Sequence, residues 1–206
     1  DYQALKEEIL KQNIEVLSMP FSALSAFCLE AEIEKIENHN IKYIVSTAEQ
    51  LYVNDRLEKF LKNNPKVELH NHYGPSESHV VTSYKMSSEL GNIVSRASIG
   101  QPISNSRIYI LDENLNLIPQ GVVGELYIGG ENLATGYLNL EKATKEKFID
   151  SKFENGKLYK TGDQAYWRSD GNIEFVGRKD DQVKIRGYRI ELGEIEHALL
   201  KNEQIE

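Results

Sequence analysis

Val67-Glu68-Leu69-His70-Asn71-His72-Tyr73-Gly74-Pro75-Ser76-Glu77 begins as a short apolar strand and ends as a polar loop. What lies before it decides the sheet that the strand joins. Lys42-Tyr43-Ile44-Val45 is an earlier buried-strand signal, and Asn54 to Leu61 reads as a helix with Leu57, Phe60 and Leu61 turned inward. A strand, a helix and a strand in succession imply a parallel sheet with crossover helices. In such sheets ligands sit beyond the carboxyl ends of strands, which makes His70 to Glu77 a candidate binding loop.

Working outward, Leu5, Ile9 and Leu10 repeat at helical spacing, Val16-Leu17 is a short apolar run stopped by Pro20, and helical patterning resumes from Phe21 to Glu37. From about Ser104 the pattern changes to short strands between turn residues: Arg107 to Leu111, the turn Asp112 to Asn114, then Glu125 to Ile128 followed by Gly129-Gly130. This reads as an antiparallel or barrel-like subdomain, interrupted by a helix from Glu141 to Phe148. Tyr166-Trp167, a turn over Ser169-Asp170-Gly171-Asn172, and Ile173 to Val176 form a hairpin. A second hairpin begins at Gln182 and turns at Arg186-Gly187, and Leu192 to Leu200 starts a helix. The fold class is therefore α/β: a parallel-sheet region first, then an antiparallel, barrel-like one, then a further hairpin and helix.

The 206 residues are 40% hydrophobic and 27% charged, the range of a globular chain with a real core. No run of about 18 apolar residues is present, so no membrane span is expected, and the charged segment Asp1 to Lys11 is no secretory signal. The single cysteine, Cys28, excludes a disulfide framework and a thiolate metal site, fits a cytoplasmic location, and reads as a small core residue. A net charge of -8 argues against nucleic acid and anionic lipid as partners. Against that average, Arg178, Lys179, Lys184, Arg186 and Arg189 lie close together with only Asp180 and Asp181 opposing. Such a patch suits a small phosphorylated ligand or an acidic partner protein, and equally a solvated hairpin.

Two loops have the parts of a nucleotide site. Tyr73 offers an aromatic face for a base, Gly74-Pro75 a rigid turn, Ser76 a hydroxyl for an anionic oxygen, and Glu77 a carboxylate for a magnesium ion. By spacing alone the same residues make a plain turn. His72 and His79 lack a third ligand at zinc-site spacing. In Tyr159-Lys160-Thr161-Gly162-Asp163 the carboxylate can accept both hydroxyls of a ribose, or cap a turn. The stretch Gly177 to Glu196 has only Val183, Ile185 and Ile190 to bury, so its residues look chosen for contacts or motion.

Taken together these stretches resemble the adenylation domains of nonribosomal peptide synthetases, within the superfamily that includes acyl-CoA synthetases and luciferase. Asn71 to Glu77 matches N-x-Y-G-P-S/T-E, and Tyr159 to Asp163 matches Y-K/R-T-G-D. Gly124 to Ile128 with Ala134 to Leu138 is similar to G-E-L-x-I followed by A-R-G-Y, and Gly177 to Glu196 follows the family's long G-R-x-D-x-Q-V-K-I-R-G motif nearly residue for residue. Thr47-Ala48-Glu49 departs from the family's A-G-E or G-G-E, and Thr135 from its A-R-G.

The resemblance implies ATP and magnesium as cofactors, an amino acid or related carboxylic acid as substrate, and an acyl adenylate as intermediate. It implies a peptidyl carrier protein as partner, whose phosphopantetheine thiol takes the acyl group, along with neighbouring synthetase domains. Carried over residue by residue, Asn71 contacts adenine, Tyr73 stacks on it beside Gly74, Ser76 holds the α-phosphate and Glu77 the magnesium. Asp163 accepts the ribose hydroxyls, Phe175 packs beside the nucleotide and Arg178 binds the ribose side. Val45, Thr47, His72, Val80 and Val81 form the acyl pocket. By the same resemblance residues 1–100 are part of a parallel-sheet α/β subdomain, 101–178 a distorted antiparallel β-barrel subdomain, and 179–206 a hinge at Asp180 and the start of a small α+β lid, whose Lys184 and Arg186-Gly187 face the pantetheine tunnel. The family's phosphate loop, its acidic partner for the substrate amino group and its lid lysine have no counterpart in this sequence. The chain therefore reads as part of an adenylation domain, with no complete catalytic set and little activity by itself. A non-catalytic module that docks a carrier protein, and an acyl-CoA synthetase, are the alternatives.

Overall fold

A computed structural model describes residues 1–153, 155–180, 182–185, 188–190 and 192–199. The first sheet has the order β1 (Val16–Pro20), β2 (Tyr43–Thr47), β3 (Glu68–Tyr73), β4 (Thr82–Met86), β5 (Gln101–Pro102). β1, β2 and β3 run parallel, as expected from the crossover spacing. β4 and β5 are antiparallel, so the sheet is mixed. The reason is connection length: the loop from Gly74 to Val81 is too short for a crossover and returns the chain beside β3.

Around this sheet lie α1 (Tyr2–Lys11), α2 (Phe21–Glu30) and α3 (Asp55–Asn63). α3 begins where Asn54 Oδ1 accepts the Leu57 amide at 3.0 Å, and it buries Leu57, Phe60 and Leu61. Each such side chain contributes about 1.5–3 kcal/mol relative to exposure. The helical reading of Phe21 to Glu37 is too long: α2 stops at Glu30, Glu32 takes a left-handed φ of 49°, and only a 3₁₀ turn at Ile33–Lys35 follows. Cys28 is fully buried in the core with Leu24, Phe27 and Ile44, and burial, with the nearby Glu34 charge, pushes its thiol up to about 12.

The second sheet is antiparallel, ordered β10 (Ile173–Arg178), β9 (Lys157–Trp167), β7 (Gly124–Gly130), β6 (Ser106–Leu111), with β8 (Phe148–Asp150) paired to β9. α4 spans Glu141–Lys147, and Phe148, read as its last residue, instead opens β8. The hairpin turn closes as expected, with Trp167 opposite Ile173. β11 (Val183–Ile185) pairs antiparallel with β12 (Tyr188–Ile190), and α5 (Leu192–Leu199) follows. The turn expected at Arg186-Gly187 lies outside the described residues. No helix among the described residues is long and apolar enough to cross a membrane.

The two sheets meet along a seam. Ile99 N–H donates to the Ile173 carbonyl at 3.1 Å, Ile173 N–H donates to the Gly100 carbonyl at 2.8 Å, and Ser98 Oγ also donates to Ile173 O at 2.9 Å. Arg96 reinforces it, with Nη2 on the Phe175 carbonyl at 2.7 Å and Nη1 on Glu174 at 2.9 Å.

Candidate active site at the seam

A cavity of about 570 Å³ opens at this seam. The strand β3 supplies its floor, and it does so by running four residues further than apolar patterning suggested. His70, Asn71, His72 and Tyr73 are strand rather than loop, alternating half-buried and buried. That alternation sends Asn71 and Tyr73 to one face and His70 and His72 to the other. Asn71 is 2% exposed, and its Nδ2 donates to the Ser98 carbonyl at 2.8 Å. Tyr73 is also buried, and its hydroxyl donates to Asp163 Oδ2. Burial, with the Asp163 charge next in weight, holds that phenol well above its usual range, so it stays a donor.

Asp163 comes from the second sheet. It caps no turn: it lies inside the eleven-residue β9, just past a bulge. From Glu125 to Tyr127 on β7 the partner strand runs from Gln164 back to Lys160, so β9 carries the extra length there. Gly162, at φ 78°, makes the bulge possible. A Cβ there would stand 2.8 Å from Asp180 Oδ2 and 2.9 Å from Arg178 Nη2. The absence of a side chain at 162 is what lets Arg178 and Asp180 lie against β9.

Arg178 joins the two carboxylates. Its Nη1 donates to Asp163 Oδ1 at 2.6 Å, its Nε and Nη2 donate to Asp180 at 2.7 and 2.8 Å, and Nη2 reaches the Thr161 carbonyl at 3.1 Å. Hydrogen bonding from Arg178 holds the Asp180 carboxyl below its usual range. Burial works against the Arg178 charge, yet Asp180 and Asp163 outweigh it and raise the guanidinium further. Asp163 therefore accepts from Tyr73 on one oxygen and Arg178 on the other, with lone pairs left on each for further donors.

Tyr73, Asn71, His72, Asp163, Phe175 and Arg178 all line the cavity, with Gly74 and Asp180 beside them. The Tyr73 and Phe175 rings lie 6.5 Å apart at 39°. Ser76 and Glu77 are not brought to the lining. Ser76 is exposed, and Glu77 is 8% exposed with Oε1 accepting from the Tyr137 hydroxyl at 2.6 Å. Among the described residues no group of three or more His, Cys, Asp or Glu side chains could hold a metal ion.

Of the residues read as an acyl pocket, only His72 lines this cavity. Val45 and Thr47 pair in register with His70 and His72, which places them on the same sheet face. Val80 is half-buried in the loop, and Val81 is fully buried in the core of the second sheet, its amide donating to the Tyr73 carbonyl at 2.8 Å. Burial, with the charges of His70 and His79 adding to it, lowers the His72 pKa, which favours a neutral ring. The side chain of Lys184 and the residues Arg186 and Gly187 lie outside the described residues.

The sequence reading overlooked one wall: Ala48, Glu49, Gln50 and Tyr52. Ala48 adopts φ 71°, a left-handed conformation costly for a residue with a Cβ. The departure at Thr47-Ala48-Glu49 carried that signal, since the resemblance places glycine there. Glu49 Oε2 accepts the Ser22 amide at 2.7 Å in the first turn of α2, which fixes the wall to the first sheet's helices.

A cavity walled by aromatic rings, with an amide at one side and a buried carboxylate and guanidinium at the other, defines a site for a small polar ligand with a flat ring. The chain belongs to the family of AMP-binding enzymes, whose model matches residues 1–138. It is 50% identical over 201 residues to gramicidin S synthase 2 of Brevibacillus brevis, covering 97% of this chain and 4% of that protein. It is 48% identical over 199 residues to tyrocidine synthase 2 of Brevibacillus parabrevis, covering 96% and 6%. Among solved structures it is similar to an artificially fused adenylation-PCP di-domain NRPS from Klebsiella oxytoca, with TM-score 0.80, 28% identity, and coverage of 98% of this chain and 37% of that one. An NRPS protein containing adenylation and PCP domains has the same fold, with TM-score 0.85, 24% identity, and coverage of 98% and 41%. The chain thus spans a small part of the synthetases it matches.

Proposed function

We propose that the cavity binds the adenosine portion of ATP and of an acyl adenylate, as part of an adenylation domain in a nonribosomal peptide synthetase. The observation that carries this is Asp163: a nearly buried carboxylate lining the cavity, already polarised by Arg178 and Tyr73. A ribose diol donates two hydroxyls to such a group, and desolvation strengthens both bonds. Asn71 offers the base an amide, and the Tyr73 and Phe175 rings offer it apolar walls.

In the reaction, a carboxylate oxygen of the substrate attacks the α-phosphorus of ATP while the bond to pyrophosphate breaks. A thiol on a carrier protein then attacks the acyl carbonyl and AMP leaves. The substrate is an amino acid or related carboxylic acid. His72 is the acyl-pocket residue that stands beside the nucleotide cavity, and Val45 and Thr47 extend its sheet face. Ser76, exposed in the loop after β3, is assigned to the α-phosphate. The chain's part in both steps is to hold the nucleotide and exclude water around the ribose and base.

Magnesium accompanies ATP in this chemistry; Glu77, the carboxylate assigned to it, stands outside the cavity lining with the Tyr137 hydroxyl on it. Residues 1–100 and 101–178 are the two parts of the nucleotide-binding core and 179–206 the start of a lid. Asp180 is its hinge, and Lys184, Arg186 and Gly187 are the residues that meet phosphopantetheine.

Calorimetry with AMP tests the reading. Wild type should bind, Asp163→Asn should weaken binding by about tenfold or more, the loss of a charged partner to two hydroxyls, and Asp163→Ala further. Equal affinity in all three, or no binding by a folded wild type, would reject it.

A further inference from the structure

Tyr52 is a large aromatic side chain, 46% exposed, on the cavity wall, and none of the sequence motifs includes it. Its backbone is held on both sides. Leu51 before it is fully buried, Val53 N–H donates to the Ser95 carbonyl at 2.9 Å, and Tyr52 itself forms a bridge with Arg96. Arg96 in turn holds the Phe175 carbonyl at 2.7 Å. One residue therefore ties the Tyr52 backbone on the first sheet's side to the Phe175 backbone on the second, and both residues line the same cavity. The Phe21 ring meets the Tyr52 ring edge to face at 5.5 Å, which supports it without covering it. An exposed ring with a fixed backbone costs little to order when a flat ligand arrives, and aromatic faces are the sequence-tolerant way to hold a base.

We propose that Tyr52 contacts the base of the bound nucleotide, forming with Phe175 an aromatic rim at the open side of the cavity. The proposal rests on the nucleotide reading above. The diol end is anchored at Asp163 and the base must lie toward the aromatic walls, so a rim residue affects ligands that carry a base and spares those that lack one.

The test compares AMP with ribose 5-phosphate, each titrated into the isotope-labelled chain and followed by amide chemical shifts, a method that reaches millimolar affinities. Tyr52→Ala should weaken AMP by about five- to tenfold, the loss of one aromatic contact to a base at a partly exposed site. Ribose 5-phosphate should be unchanged within about twofold, and Tyr52→Phe should restore AMP, because the ring and not the hydroxyl makes the contact. Asp163→Asn should weaken both ligands, which checks the nucleotide reading separately. AMP affinity unaffected by Tyr52→Ala overturns the proposal while leaving that reading intact. Equal weakening of both ligands overturns it too, by making Tyr52 a support of the wall. If the folded wild type binds neither ligand, the reading and the proposal fall together.

Discussion

The bond from Tyr73 in β3 to Asp163 in β9 crosses between the two sheets, and removing either end should show how much it holds. Tyr73→Phe keeps the ring in its packing and deletes a buried hydrogen bond to a charged acceptor, a loss of about 2 kcal/mol. Asp163→Ala deletes that bond and the Arg178 pair at 2.6 Å. Arg178 keeps both contacts to Asp180, so the cost should be about 3 kcal/mol and not the larger penalty of stranding a buried guanidinium. Once Asp163 is gone the Tyr73 hydroxyl has lost its acceptor, and Tyr73→Phe in that background should cost less than about 0.5 kcal/mol. The coupling is then about 1.5–2 kcal/mol. For a chain of this size a 2 kcal/mol loss lowers Tm by about 4–8 °C. Urea denaturation reads all four proteins, with Trp167, the only tryptophan, reporting on β9 and circular dichroism on the whole. Additive single effects, within about 0.5 kcal/mol, would refute the claim that this bond joins the sheets.

Other expectations follow from the same wall and loop. Ala48→Gly should stabilise the chain by about 0.5–1 kcal/mol, because glycine accepts the φ of 71° without strain; an unchanged or lower urea midpoint would count against it. Gly74→Ala would place a Cβ 1.7 Å from the His79 carbonyl oxygen and should cost at least about 2 kcal/mol in a thermal melt, with loss of AMP binding; an unchanged melt would count against the tight loop. His72 has a folded pKa below its ordinary 6.5, so the unfolded state binds more protons in that window. Stability should fall as pH drops through it, and His72→Gln should flatten that part of a stability-pH curve; an identical slope would remove His72 as the cause.

The parts of the fold that depend on apolar periodicity were readable in the sequence. α3 with its three buried residues, β2, the Trp167 to Ile173 hairpin and the alternation that makes β1 to β3 parallel all follow from local pattern. What escaped notice is polar or backbone-determined. From apolar pattern β3 ends at Leu69, because His70, Asn71 and His72 look like loop residues, yet all three continue the ladder to β2 and β4, and Asn71 and His72 line the cavity. Gly162 by itself does not distinguish a bulge from a turn, because both use the same residue. β4 and β5 are short and only partly apolar, so their pairing beside β3 identifies them better than composition does. The site was half legible: the motifs gave Asn71, Tyr73, Asp163 and Arg178, and the family resemblance Phe175, which the fold brings together, whereas Tyr52 and Gln50 are carried to the cavity by the path of the chain alone.

If the seam cavity is an adenosine site, a residue-resolved map of where AMP binds will show it. With the labelled chain and AMP, amide shifts should concentrate at Asn71, Gly74, Asp163 and Gly177, the cavity-facing positions on β3, its loop, β9 and β10. A folded chain showing no shifts there, or shifts confined to surfaces away from the seam, would contradict the account.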